Sequence, residues 1–333
     1  MSAKIKIIVV GLGQIGIETC KLILQKKSFN LLAVVDIDPS KADKDLGEFL
    51  YKKKIGIKIF NDLKAALKEF QPEVTILTSK SRLSEIANDI FSCIEYHSSV
   101  ISSCEELLFP FKKNKSLAEE IDAKAKEYFV HVLGTGVNPG FIMDTLPLFL
   151  TSICSDVKSI KISRVVDLSK RRKALQQKIG LSLTKSEFQK LVREKKIGHV
   201  GLLESAQFIS HYLNFDITDF DESIKPYLAD KNYKTKFFNI PKGTVIGMKH
   251  TVIGKNKTKK LLELILEMRA DIVKGFDEIV IDGNPPIKLK IENGIFGDTA
   301  TVAMMVNVIP NLLHARYGLI TMKDINIPSF LNI

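Results

Sequence analysis

Cysteine is scarce and dispersed in this chain of 333 residues. Cys20, Cys93, Cys104 and Cys154 stand far apart with no CxxC pair, which argues against a zinc ribbon or a redox dithiol. The six histidines are equally scattered and show no HExxH spacing, so no built-in metal site is expected. No run of about 18 apolar residues occurs, so no transmembrane helix and no membrane partner are expected. The apolar run Ile7-Ile8-Val9-Val10 is too short for a signal peptide. A reducing, cytoplasmic setting is the resulting expectation. Internal repeats and long low-complexity linkers are also missing. Positive charge is in excess, 49 Lys+Arg against 38 Asp+Glu for a net +11. It is spread in short runs such as Lys52-Lys53-Lys54 and Lys170-Arg171-Arg172-Lys173. None is interleaved with aromatics, so a solvated face is expected rather than a specific nucleic-acid partner.

What is present is ordinary globular composition, 45% hydrophobic and 26% charged, at a length that suggests two domains. Lys4 to Val10 reads as a buried parallel strand. It runs into Gly11-Leu12-Gly13-Gln14-Ile15-Gly16 and an amphipathic helix to about Lys26. A second apolar strand, Leu31 to Val35, ends in Asp36. A GxGxxG after a strand, opening a helix, with an acid following the next strand, is a dinucleotide fingerprint. Gly11 permits the turn, and Gly13 lets the backbone approach a pyrophosphate seated on the N–H groups around Gln14 and Ile15. Gly16 allows close helix–strand packing, and Asp36 accepts from a ribose hydroxyl. Asp36 favours NAD, whereas Ser40 and Lys41 close behind it offset repulsion of a 2′-phosphate, so NAD and NADP both remain open.

Strands at Lys58–Phe60, Val74–Thr78, Ser99–Ser102 and Val130–Leu133 alternate with helices at Asp62–Phe70, about Ser84–Tyr96 and about Ser116–Tyr128. This predicts an α/β fold, a doubly wound parallel sheet of the Rossmann type over residues 1–140. Ligands of such sheets lie beyond the carboxyl ends of the strands. That places Thr78 and Ser79, Ser103 to Glu106, and Gly134 to Gly140 around the cofactor. After Gly140 the pattern changes. A helix from about Ile142 to Thr151 precedes a strand, Val157 to Asp167, and helical segments at Lys173–Gln177, Lys185–Lys195 and Leu202–Leu213. Mostly alternating residues follow from Lys242 to Lys290, with Leu261–Arg269 fitting helix and strand periods and read as strand. Residues 141–301 are therefore expected to form a second, α+β domain with an open, mostly antiparallel sheet. Thr299 to His314 reads as a buried helix, and the segment from about 302 to 333 is expected to return to the first domain.

Three segments can carry chemistry. In Ser103-Cys104-Glu105-Glu106-Leu107-Leu108-Phe109-Pro110, a carboxylate at a strand end suits proton transfer, or else both glutamates favour a helix N-terminus. Cys104 is a thiol nucleophile or a small buried residue. In Gly134 to Gly140, Asn138 is a hydrogen-bond donor or part of a hinge. Asp298, opening the last helix, reads as an N-cap, with Thr299 or Thr301 facing a cleft as the other reading.

The blocks GLGQIG with VVDIDPSK, SSCEELLFP, GTGVNPGFIMD, SRVVD, GHVGLLES and GDTATVAMMVNVIP resemble the native amine dehydrogenases and their relatives, the 2,4-diaminopentanoate dehydrogenases. The resemblance extends over essentially the whole chain. The N-terminal domain of that superfamily is like that of dihydrodipicolinate reductase, whose His-His…Lys block is missing here. The resemblance implies an NAD- or NADP-dependent amine dehydrogenase, performing reductive amination of small aldehydes or ketones with ammonia and the reverse oxidative deamination. A 2,4-diaminopentanoate dehydrogenase is the alternative, in which Arg164 serves the substrate carboxylate. It further implies Glu105 as the catalytic residue, with Glu106 as the alternative, and Asn138, Phe141, Arg164 and His199 as pocket positions. A homodimer formed through one face of the second sheet is expected on the same ground.

Overall fold

The computed structural model describes residues 4–332; Ile333, the end of the expected returning segment, lies outside them. The chain divides into two units, one formed by the residues up to Phe141 together with those from Phe296 onward, the other by Ile142–Ile295.

Unit 1 begins with β1 (Ile5–Val10), α1 (Gln14–Leu24), β2 (Phe29–Val35), α2 (Leu46–Tyr51), β3 (Ile59–Phe60) and α3 (Leu63–Phe70). It continues with β4 (Val74–Leu77), α4 (Leu83–Glu95), β5 (Ser99–Ser102), a 3-10 turn at Glu105–Leu108, α5 (Lys115–Glu127) and β6 (His131–Gly134). The strands are short apolar runs buried on both faces, as a sheet covered by helices requires. Local signals start several helices. Asp62 caps α3 by accepting from Ala65 N at 3.2 Å. Asp45 caps α2 by accepting from Gly47 N at 2.8 Å and also holds Ile55 N at 2.9 Å. Neither the α2 helix nor this second use of Asp45 follows from periodicity, because six residues are too few to show one.

Unit 2 contains α6 (Thr145–Leu150), β7 (Asp156–Asp167), α7 (Lys173–Lys178), α8 (Lys185–Arg193), α9 (Leu202–Tyr212), β8 (Asp219–Leu228) and the two-residue pair β9 (Tyr233–Lys234) and β10 (Asn239–Ile240). Then come β11 (Val245–Asn256), β12 (Lys259–Arg269), β13 (Phe276–Asn284) and β14 (Ile287–Glu292). Six of these strands form a sheet in the order β14-β13-β7-β12-β11-β8. Every neighbouring pair is antiparallel except β7 with β12. Leu262, Leu264, Leu266 and Met268 of β12 are buried while Glu263, Ile265 and Glu267 are half-exposed, so the alternation of this segment is that of a strand. α9 packs on β11 and β12 and covers the buried face.

The chain then returns to unit 1 as α10 (Gly297–Asn307), α11 (Ile309–Leu312) and β15 (Gly318–Ile320). The expected single helix from Thr299 to His314 is broken. Pro310, in the first turn of α11, has no N–H to continue a helical ladder. α10 packs on α1. β15 adds a seventh parallel strand beside β6, giving the order β15-β6-β5-β4-β1-β2-β3. The fold is thus a parallel Rossmann-like sheet plus a mixed, mostly antiparallel second sheet. In unit 1 the strand order reverses between β1 and β4, which is where open α/β sheets bind ligands.

Candidate active site

The glycine loop is fixed from below and open above. Gly11 has φ +94°, a left-handed conformation that favours glycine, and its N–H donates to Val35 O at 2.7 Å. A Cβ on Gly16 would lie 1.8 Å from Gly11 O, so only glycine lets α1 approach β1 this closely. A Cβ on Gly13 would meet nothing within 4 Å. Gly13 is also the N-cap of α1 and offers no side-chain oxygen to the first N–H groups of the helix. Uncapped N–H groups beside open space suit a pyrophosphate, so the residues present fit a dinucleotide.

Asp36 ends β2 against this loop and is only 8% exposed. Its Oδ2 accepts from Leu12 N at 2.6 Å and from Lys41 Nζ at 3.0 Å, and its Oδ1 from Asp38 N at 2.9 Å. Burial works against the charge, but these three donors outweigh it and hold the carboxyl below its ordinary range. Asp36 therefore braces the loop. Ser40 is exposed and tied through its N–H to Asp38 Oδ1 at 3.0 Å. Thr78 directs its hydroxyl into the loop, donating to Val10 O at 3.0 Å and Gly11 O at 2.9 Å. Gln14 and Ser79 are exposed and Ile15 is half-buried. The structure thus brings the expected cofactor residues together at the ends of β1, β2 and β4.

The Glu105–Leu108 turn follows β5 and lies against the end of β6. A Cβ on Gly134 would sit 2.4 Å from the Leu107 carbonyl carbon, so glycine is required for this approach. The two adjacent glutamates separate here. Glu106 is 5% exposed. It accepts from Lys113 Nζ at 2.6 Å, from Leu83 N at 3.0 Å and from Asn114 Nδ2 at 3.4 Å. Burial raises its pKa, but Lys113 and the two other donors overcome that and keep the carboxyl below its ordinary value. Glu106 is thereby bound into the packing of α4 and the turn before α5. Glu105 is half-buried at the start of the same turn. Burial, reinforced by Glu105, pushes the Cys104 thiol far up, which leaves no thiolate at neutral pH for a nucleophile. Asp298 is not the N-cap of α10. That position is Phe296, with Asp298 two residues further on in the first turn. Thr299 donates to Phe296 O at 3.2 Å, and Thr301 lies against Gly136.

Asn138 is half-buried in the turn after β6, and Phe141 ends this part of unit 1. Arg164 and His199 belong to unit 2. Arg164 is 2% exposed and engaged. Its Nη1 donates to both carboxylate oxygens of Asp277 at 2.7 Å, and its Nη2 to Ile295 O at 2.6 Å. Burial lowers the Arg164 pKa, with the nearby Arg171 charge acting in the same direction, and burial raises that of Asp277. A guanidinium so completely matched is a cross-strand tie rather than an open carboxylate receptor, which counts against the expected substrate role. Asp277 went unnoticed in the sequence because its partner lies 113 residues away.

His199 stands between Gly198 (φ +114°) and Gly201 (φ +105°). Its ring lies 6.3 Å from that of His250, centroid to centroid, at 61°. His250, on β11, is 1% exposed, and its Nε2 lies 2.8 Å from Glu222 Oε1. Sequence reasoning passed over His250, although it occupies the buried parity of an alternating strand, between Met248 and Val252. No cluster of three or more metal-ligating side chains occurs among the described residues. Among them no helix is long and apolar enough to cross a membrane.

A fingerprint loop on a parallel sheet marks a dinucleotide-binding protein. Residues 141–332 match the 2,4-diaminopentanoate dehydrogenase C-terminal domain, and residues 5–104 the dihydrodipicolinate reductase N-terminus. The chain is 32% identical over 340 residues, 98% of its own length and 94% of the relative's, to a 2,4-diaminopentanoate dehydrogenase of Acetoanaerobium sticklandii. It belongs to the 2,4-diaminopentanoate dehydrogenase family, whose members are dehydrogenases acting on an amine. An amine dehydrogenase from Mycobacterium smegmatis shares the fold at 19% identity, with a TM-score of 0.88 covering 99% of this chain and 98% of that one. A dihydrodipicolinate reductase from Paenisporosarcina shares it more loosely, at 10% identity and a TM-score of 0.52 over 94% of this chain and 96% of that one.

Proposed function

We propose that the protein is an NAD(P)-dependent dehydrogenase of a diamino acid of the 2,4-diaminopentanoate type. The observation that carries this reading is the whole-length relationship to a protein of that activity. The amination of simple carbonyls rests on a likeness of fold at 19% identity and is the weaker reading. The overall change converts an ammonium-bearing carbon, water and oxidised coenzyme to a carbonyl, ammonium ion, reduced coenzyme and one proton. When bound, the nicotinamide supplies the hydride acceptor. Glu105 takes the proton that must leave the substrate ammonium. Once it has passed that proton to solvent, the carboxylate is ionised again, offsets the positive charge of the iminium and serves the proton transfers of water addition and ammonia loss. The neighbouring Glu106 is withheld from this work by Lys113, Leu83 and Asn114. Coenzyme binding belongs to unit 1, with Asp36 and Lys41 deciding between NAD and NADP. Substrate selection and self-association belong to unit 2, whose sheet has one open face with half-exposed Val165, Thr251, Ile253 and Ile265.

The test is direct. Purified protein given 2,4-diaminopentanoate and NAD+ or NADP+ should form reduced coenzyme and ammonia in equal amounts. Turnover of simple amines with none of the diamino acid would overturn the reading.

A further inference from the structure

Across its four central strands, β13, β7, β12 and β11, the covered face of the unit 2 sheet is apolar in every transverse row but one; on the edge strand β8, Glu222 stands in register with Val252. Ile279, Ile162, Leu264 and Val252 pair across β13, β7, β12 and β11, and Met268 pairs with Met248. Between these rows run Asp277, Arg164, Leu266 and His250, in register with Ile224 on β8. The two polar side chains at the β13–β7 end satisfy each other. At the other end His250 is tied on one side only. Its Nε2 meets Glu222 Oε1 at 2.8 Å, and its buried Nδ1 has no hydrogen-bond partner among the described residues.

That asymmetry sets the chemistry. An ionised Glu222 can only accept, so Nε2 carries the proton, and in the neutral ring Nδ1 is left as an acceptor. A buried acceptor without a donor is unfavourable, and native proteins keep one where a ligand or water completes it. The group that fits is an N–H donor. The Glu222 carboxylate behind the ring makes a cationic donor the better match. The loop carrying His199 lies on the same strands, since a Cβ at Gly198 would be 3.1 Å from Ile224 Cδ1. A position expected to face substrate is thereby set beside His250.

We propose that His250 binds the spectator ammonium group of the diamino acid, the amine that is not oxidised, through Nδ1, with Glu222 as the positioning residue that fixes its tautomer. This rests on the reading of the protein as a diamino acid dehydrogenase. It makes unit 2 selective for the second amine over acids that carry one.

Steady-state kinetics with 2,4-diaminopentanoate and with 4-aminopentanoate, which lacks the second amine, test it. His250→Leu should raise KM for the diamino acid by about tenfold to a hundredfold, the loss of a charge-assisted hydrogen bond. Its kcat should be little changed, and so should KM for the monoamine. His250→Asn keeps an acceptor near the Nδ1 position and should restore most of the affinity. Glu222→Gln should raise KM for the diamino acid alone. Equal losses on both substrates, or an unchanged KM for the diamino acid, would overturn the assignment. Nitrogen NMR of the wild-type chain is independent of turnover and of the folding of any variant. The His250 Nδ1 signal should move on titration with 2,4-diaminopentanoate and stay still with pentanoate. If the diamino acid is not oxidised but the signal moves, the functional reading fails and the binding role stands. If it is oxidised and the signal stays still, the binding role fails alone.

Discussion

Glu105 and Glu106 are neighbours of the same type, and only their partners distinguish them. Glu105→Gln removes the carboxylate assigned to proton transfer, so turnover should fall by at least about a hundredfold while coenzyme affinity and stability are retained. Glu106→Gln should do the reverse. Loss of the charge that Lys113 and Leu83 N–H bind should cost about 1.5–3 kcal/mol of stability, with a smaller effect on turnover. The pH dependence has a definite sign. The folded-state pKa of Glu106 lies below the ordinary 4.5, so its stabilisation is complete above that value and is lost as pH falls through the lowered one. Denaturant unfolding of wild type and variant should therefore differ at neutral pH and converge in acid. The sequence could not separate the pair, because the partners of Glu106 come from α4 and the turn before α5. The glycine loop, by contrast, was legible residue by residue, since its constraints are local. Gly13→Val should abolish NAD(P)H binding without loss of stability, because a side chain there meets only open space. Gly16→Ala should destabilise the fold itself. Titration calorimetry with a thermal melt distinguishes these outcomes. At the ribose, Asp36→Ala should weaken NAD more than NADP, and Lys41→Ala the opposite, as measured by the ratio of KM values.

At the scale of elements, legibility followed locality and polarity. The strands of unit 1 are dense apolar runs and could be read directly. β8 was missed because Asp219, Asp221, Glu222, Lys225 and Pro226 make it look like a loop. It is an edge strand, where polar residues and proline are tolerated. β15 is three residues long and is defined only by its pairing with β6. The parallel pairing of β7 with β12 joins segments about a hundred residues apart and leaves no trace in either. The same holds for the tie between β7 and β13. Arg164→Met alone should destabilise unit 2 by about 3–5 kcal/mol, because it leaves Asp277 buried without its countercharge. Arg164→Met with Asp277→Leu should recover most of that loss. A double-mutant cycle in urea reads the coupling, and equal loss in single and double variants would show that Arg164 contributes packing rather than charge.

For the whole molecule, the open face of the unit 2 sheet is a surface that self-association can cover. Val165, Ile265, Thr251 and Ile253 lie at its centre on β7, β12 and β11. Ion pairs frame them, Lys161 with Glu263, Lys249 with Glu267 and Lys288 with Glu278, at 3.5, 3.2 and 3.2 Å. An apolar centre within a charged rim is the composition of a protein interface. A two-fold arrangement would place each centre against its own copy and set the rim charges of one protomer near those of the other. The net charge of +11 works against self-association through any surface that is not locally neutral. On this face each framing lysine already has its glutamate, so the local repulsion is small. Light scattering at micromolar concentration should therefore give about twice the 37.3 kDa of the chain. Ile265→Asp would bury a carboxylate at the centre of the interface, where no partner awaits it, and should shift the protein to monomer. Because Ile265 points away from the covered face that carries His250 and Arg164, the monomer should retain their packing. A wild-type protein that stays monomeric at that concentration would leave this face to some other partner.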